Sequence, residues 1–379
     1  MSTDMQTPTG IDDPINAQIL AISEDKIQGF VKNPIAAIAE QSGISTDIVI
    51  ARIRAMLQAG TIRRVRQTLM ATNLAPGALV AWKVPADNLN AAFDYMFEND
   101  PFSGHAVLRS TDKETPGSEY KLWTTLKVPI GYDMSKHCDY LASRTGAEDY
   151  ILLPAKKVFS LGVGHMRRRK LNPGDRTDEP GRVHNVTVTT LSDLEWKVLI
   201  ALKREFEPDE LNENIWGPRA KEAGVSLDEF CTIAEDLNER RVIGRFSTFL
   251  EHVKKHADGK AVTRYNALYH WAVPSGKELE AGIEVGRHHC MTHAYWREGG
   301  PQFNNVNVMG VSHGTDKDTV LAHKAAIDEH LKEAGIDITY TNVFWGGRSE
   351  IKPSEISPIA YLDWCAKNNI DPESMKMSY

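Results

Sequence analysis

Between residues 34 and 58 the apolar positions recur at helical spacing. Ile35, Ile38 and Ala39 share one face, a tight Gly43-Ile44-Ser45 turn follows, and Ile48, Val49, Ile53, Met56 and Leu57 mark a second amphipathic helix that Ser45 would cap. The pattern predicts a helix-turn-helix. Over residues 61–70 the period changes to two, predicting a strand that resembles a wing. Residues 218–224, then Ser226 with Phe230, Ile233, Ala234 and Leu237, repeat the helical pattern, and residues 242–250 repeat the strand.

The strand Ala78-Leu79-Val80-Ala81-Trp82-Lys83-Val84-Pro85 returns as Ala267-Leu268-Tyr269-His270-Trp271-Ala272-Val273-Pro274, at an offset of 189. Gly43-Ile44-Ser45 and Arg64 return as Gly224-Val225-Ser226 and Arg245 at offset 181, and His105 and Arg109 return as His293 and Arg297 at offset 188. Order and spacing hold over the whole stretch, so the chain is two copies of one module. The extra residues of the second copy fall near Lys254–Lys260. In that copy, strands near 265–273, around His293, near 305–313 and over 337–345 alternate with helices from Gly276 and over 316–334. That order is βαββαβ, the ferredoxin-like split motif. The predicted class is α+β, with two tandem copies of a winged helix-turn-helix plus a ferredoxin-like domain. The expected divisions are 12–72 and 73–165, a linker over 166–186, then 187–256 and 261–348, and a C-terminal extension over 349–379.

Composition narrows the function. The chain has 379 residues, 41% hydrophobic and 25% charged, which is the balance of a globular protein. No apolar run approaches the roughly 18 residues that span a bilayer, and the polar, acidic N-terminus does not read as a signal peptide. Cys138, Cys231, Cys290 and Cys365 are scattered without a CxxC, which argues against a zinc knuckle, an iron–sulfur site or a disulfide framework. A cytoplasmic location is expected. The net charge of −7 is uneven, because residues 1–185 hold 22 Lys/Arg against 21 Asp/Glu and the remainder 22 against 30. The one dense basic run, Arg167-Arg168-Arg169-Lys170, falls in the linker and reads as a solvated connector.

The strand His293-Ala294-Tyr295-Trp296-Arg297 carries the chemistry. Alternation puts His293, Tyr295 and Arg297 on one face, over about 13 Å at roughly 3.3 Å per residue. Three polar groups in a row are costly to bury without a task. In the first copy His105 and Arg109 persist, but Val107 stands for Tyr295 and Lys127 for His313. The second copy is therefore the expected main site.

As an ordered set in both copies, several motifs resemble those of the siroheme decarboxylases, a branch sharing the Lrp/AsnC fold. They are Arg before the wing, Trp-x-Val-Pro, His-x-Tyr-x-Arg, Asn307 with His313-Gly314, and the segment from Leu152 to Val163. The resemblance covers roughly residues 12–165 and 190–348, with a tandem layout similar to fused two-subunit members. It implies removal of CO2 from the two acetate arms on rings C and D of siroheme, in alternative haem and haem d1 biosynthesis. It implies no separate redox cofactor, with the iron tetrapyrrole bound as substrate or product. In that frame His293, Tyr295 and His105 are the candidate catalytic residues. His293 is also a candidate iron ligand, because imidazole both moves protons and binds iron. Arg297, Arg245, Arg109 and Arg64 suit carboxylates by their two-pronged donors. Trp271 is a candidate floor for the macrocycle and also a core residue, while His313 is a site residue or a hydrogen-bonded core residue. His288 and His289 read as solvated at a helix end.

Two alternatives compete: an Lrp/AsnC-type ligand-responsive regulator and a non-catalytic haem-binding protein. A regulator needs basic recognition helices. Residues 226–238 carry Asp228, Glu229, Glu235 and Asp236 and no Lys or Arg, so specific DNA binding through that helix is not expected. The expected partner is an iron tetrapyrrole and not a membrane, and the two copies are expected to form a pseudo-dimer within one chain or a homodimer.

Overall fold

The computed structural model describes residues 7–161, 171–185, 188–251 and 265–378. The basic run Arg167–Lys170 and the extra residues near Lys254–Lys260 lie outside them. The first copy runs α1 (Pro14–Ser23), α2 (Pro34–Ser42), α3 (Thr46–Gln58), β1 (Ile62–Leu69), β2 (Gly77–Lys83), α4 (Leu89–Glu98) and β3 (Ser103–Ser110). It continues with β4 (Leu122–Lys127), α5 (Met134–Thr145), β5 (Asp149–Pro154) and β6 (Lys157–Leu161), and a short β7 (His184–Asn185) follows. The second copy runs α6 (Asp193–Lys203), α7 (Gly217–Ala223), α8 (Leu227–Glu239), β8 (Ile243–Leu250), β9 (Tyr265–Ala272), α9 (Glu278–Gly286) and β10 (Met291–Trp296). It closes with β11 (Val308–Gly314), α10 (Lys317–Glu333), β12 (Tyr340–Ile351) and α11 (Pro358–Lys367).

Two compact units cut across this order. One gathers the helix-turn-helix segments of both copies; the other gathers both βαββαβ modules, the linker from Leu171 and the extension. In the first unit, Ser226 accepts a hydrogen bond from the Glu229 amide and caps α8. Ser45 holds the same position before α3 without a side-chain bond. The expected wings differ from hairpins. Each copy has a single strand here, so β1 and β8 pair antiparallel with each other and satisfy their backbone groups across the repeat.

In the second unit the strand orders β5-β2-β4-β3 and β12-β9-β11-β10 are those of two ferredoxin-like sheets. They join within the chain. β12 pairs with β9 through Tyr340–Gly346 and with β3 through Trp345–Ile351, while β6 pairs with β10. Both faces of each sheet are covered, which is why β2 and β9 are nearly continuous apolar runs. Val80 and Trp82 face the helices of the first module, and Tyr269 and Trp271 those of the second. Between the sheets lies a third core, containing Ala81, Val107, Trp123, Leu268, Met309 and Phe344.

The extension covers the first module, not the second. Tyr361 and Trp364 of α11 pack on Phe102, and the Tyr361 hydroxyl lies 3.1 Å from His137 Nδ1. No helix among the described residues is long and apolar enough to cross a membrane.

Candidate functional site

The polar residues singled out in the sheets collect on the faces that look toward each other. Tyr295 is paired with Met309 and His293 with Val311, so their side chains share the inner face that Met309 lines. The rings of His293 and Tyr295 stack, with centroids 6.1 Å apart and planes 13° from parallel. The Arg297 guanidinium sits 4.4 Å over the Tyr295 ring and also donates to the Leu153 carbonyl. Burial pushes the Tyr295 phenol up and the Arg297 guanidinium down, while their mutual interaction opposes both shifts.

Lys127 looks into the same space from β4. Burial, and then the charge of Arg297, push its ammonium down to about 8. Arg109 is the pseudo-symmetric partner of Arg297. It donates to the Phe344 carbonyl at 3.3 Å, as Arg297 donates to Leu153, and to Asn266 Oδ1 at 3.2 Å. Burial pushes it down to about 9, so it is cationic at neutral pH. Among the described residues, Arg109, Lys127 and Arg297 face no carboxylate partner, and hydrogen bonds to carbonyls and an amide are what hold the arginines.

From Arg109 a string of polar contacts crosses the second module. Asn266 Nδ2 lies 3.0 Å from His313 Nε2, and His313 Nδ1 lies 3.5 Å from Thr292 Oγ1. Thr292 Oγ1 donates to the Val311 carbonyl at 2.8 Å, and His293 Nδ1 lies 3.1 Å from the same oxygen. The string thus joins His293, His313 and Arg109, three residues recognised separately in the sequence.

His105 stands apart from this string, with its Nε2 lying 2.8 Å from Ser349 Oγ across β3 and β12. Trp271 is not a floor for a ligand. It is wholly buried on the opposite, helix-covered face, donating to Asp328 at 2.6 Å with the Lys324 ammonium 5.0 Å over its ring. Arg64 and Arg245 belong to the helix-turn-helix unit, where Arg64 pairs with Glu205 at 3.1 Å and Arg245 donates to the Glu24 carbonyl at 3.1 Å. His288 is buried rather than solvated, bonded to His330 at 2.8 Å.

Sequence reasoning missed Thr292, Asn266, Lys127 as a positive feature, and His270. His270 is an imidazole among the apolar residues of β9 that follow Asn266, packed among Trp123, Phe303 and Phe344. Burial, with the charge of Arg109, pushes it down to about 3 and keeps it neutral.

Residues 75–160 match the family model of the AsnC-like ligand binding domain. The chain is 24% identical to a siroheme decarboxylase of Hydrogenobacter thermophilus over 305 residues, which is 80% of this chain and 84% of that relative. It is 26% identical to the siroheme decarboxylase beta subunit of Methanosarcina barkeri over 149 residues, 39% of this chain and 95% of that subunit. Two crystal structures of the siroheme decarboxylase NirDL, one in complex with an iron-uroporphyrin III analogue, are similar in fold. Their TM-scores are 0.64 at 19% and 20% identity, covering 93% of this chain and 99% of theirs.

Proposed function

We propose that this chain, a homologue of the siroheme decarboxylases, is a carboxy-lyase that removes CO2 from acetate side chains of siroheme or a close iron tetrapyrrole. One observation carries the reading: Arg109, Lys127 and Arg297 line the inner faces of the paired sheets without a carboxylate partner among the described residues. Uncompensated cations are costly to hold away from water. A macrocycle bearing several carboxylates supplies the missing charge.

In the reaction the bond between the acetate methylene and its carboxylate carbon breaks. CO2 leaves, the electron pair remains on the methylene and spreads into the macrocycle, and a proton then completes the methyl group. No oxidant or reductant is consumed. Arg297 and Lys127 anchor carboxylates. Tyr295 holds the reacting arm and donates a hydrogen bond, its raised phenol staying protonated. His293 delivers the proton or meets the iron of the substrate.

The regulator reading is disfavoured by what holds the first recognition helix. Arg52 of α3 pairs with Asp13 at 3.1 Å and Arg54 donates to the Leu211 carbonyl at 2.7 Å, so both cations are spent inside their own unit. Anaerobic incubation with siroheme tests the proposal. A product lighter by two CO2 is expected. Unchanged mass with a shifted Soret band would leave only a binder.

A further inference from the structure

The hydrogens in the string of contacts between Arg109 and His293 can be placed, because a guanidinium at one point and a backbone carbonyl at another each allow only one role. A guanidinium only donates, so Asn266 Oδ1 is the acceptor of the Arg109 bond and the Asn266 NH2 faces His313. His313 Nε2 therefore accepts, and the neutral ring carries its hydrogen on Nδ1, toward Thr292. A backbone carbonyl only accepts, so the single hydroxyl hydrogen of Thr292 goes to Val311. Thr292 Oγ1 is left as an acceptor toward His293 Nδ1.

We propose that Thr292, its own hydrogen committed to the Val311 carbonyl, holds His293 as the Nδ1–H tautomer and so acts as a positioning residue for the decarboxylation. The neutral His293 ring then carries its lone pair on Nε2, where it can face the iron of the substrate or take up a proton from water and, as imidazolium, pass that proton to the methylene carbanion. Backbone geometry explains how two successive residues on a strand meet at one oxygen. The register of β10 against β11 shifts between Met291 and His293, and this bulge at Thr292 turns its side chain to the side of its neighbour.

The first copy lacks this hydroxyl. It has the same register shift, between Ser103 and His105, but the bulged residue is Gly104. A Cβ there would come within 1.9 Å of Ser354 Oγ in the C-terminal extension, which would have to turn away, and glycine offers no hydroxyl. His105 instead engages Ser349 through Nε2. His105 thus turns Nε2 to a serine of the other copy, whereas His293 turns Nδ1 to its own strand neighbour.

The functional part of this inference rests on the decarboxylase reading; the tautomer does not. The test uses the full chain with 15N-labelled histidine and no substrate. Long-range 1H–15N spectra distinguish the two tautomers, and His293→Ala identifies the resonance. Wild type is expected to show Nδ1–H at His293, Thr292→Val to move it toward Nε2–H, and Thr292→Ser to restore Nδ1–H. With siroheme, Thr292→Val is expected to lower kcat roughly 10- to 100-fold, as loss of an orienting partner does. KM should stay near wild type, and Ser should rescue kcat. An Nε2–H signal in wild type, or a Thr292→Val variant with unchanged tautomer and kcat, overturns the proposal. A wild-type chain that leaves siroheme unconverted while showing Nδ1–H overturns the decarboxylase reading and its catalytic corollary but not the tautomer.

Discussion

At four matched positions the second copy has Thr292, His293, Tyr295 and Arg297, where the first has Gly104, His105, Val107 and Arg109. Two are retained and two are not, and the structure gives each difference a cause. Gly104 lies against the extension, where a Cβ would crowd Ser354 Oγ. Val107 joins the apolar core between the sheets, whereas Tyr295 carries Arg297 over its ring. The retained arginines do the same structural job, each bonded to a strand carbonyl of the opposite module, Phe344 for Arg109 and Leu153 for Arg297. Duplication has thus kept what holds the two modules together and concentrated the candidate chemistry on one side. Lys127 completes the asymmetry. It occupies the first-copy position of His313, yet it faces Arg297 and so serves the second copy's row.

The largest expected effect comes from breaking that row at its head. His293→Ala should lower turnover by about 10² to 10⁴, the usual worth of a positioned acid or base. Circular dichroism and melting should match wild type. Retained activity would sink the assignment of the second copy as the working site.

Lys127→Met comes next. Losing a charge-assisted bond to a carboxylate, worth about 1.5–3 kcal/mol, should weaken binding of iron uroporphyrin roughly 10- to 100-fold. The pH dependence has a definite sign. Lys127 is pushed down to about 8, whereas in the unfolded chain it holds its proton to about 10.4. Between those values the unfolded chain binds more protons, so this group makes the empty protein more stable as pH rises. Below about pH 8 the buried charge is a full penalty, and Lys127→Met should raise the melting temperature there, with the gain shrinking toward about pH 10. Ligand affinity of wild type should fall as pH rises through the same range, while that of the variant stays flat. Melts and titrations at two pH values decide it, and a variant less stable than wild type at neutral pH contradicts the picture.

Much of the fold was legible because duplication printed it twice: the helices, the βαββαβ order and the recurring His and Arg of the site strand all emerge from matched spacing. What escaped depends on pairings between copies. Nothing in the isolated strands at 61–70 and 242–250 says that they pair with each other. Trp271 sits in the run 267–273, apolar but for His270, so alternation could not assign its face, and it turned out to look at Asp328 instead of the inner space. Lys127 read as decay of a histidine position because its role depends on Arg297, 170 residues away in the chain. Arg64 and Arg245 matched as a repeated pair, yet Glu205 and the Glu24 carbonyl engage them. Charge type was visible in the sequence; the partner of each charge was not.

Smaller changes sharpen the comparison further. Tyr295→Phe keeps the ring that Arg297 covers and stacks on His293, removing only the hydroxyl. Folding should be unaffected and kcat should fall about tenfold, the low end for a lost hydrogen bond to a developing charge. A variant as inactive as His293→Ala would make the phenol the principal proton donor and demote the imidazole. His105→Ala should do least. Its contact with Ser349 bridges β3 and β12 near the open end of their pairing, where Ile351 is the last matched residue. One neutral hydrogen bond is worth about 1 kcal/mol of stability, and turnover should remain within about twofold of wild type. If His105→Ala instead halts the removal of one of the two acetate carboxyls, seen as a product lighter by a single CO2, then the copies divide the two arms between them and the first is a second, weaker catalytic site.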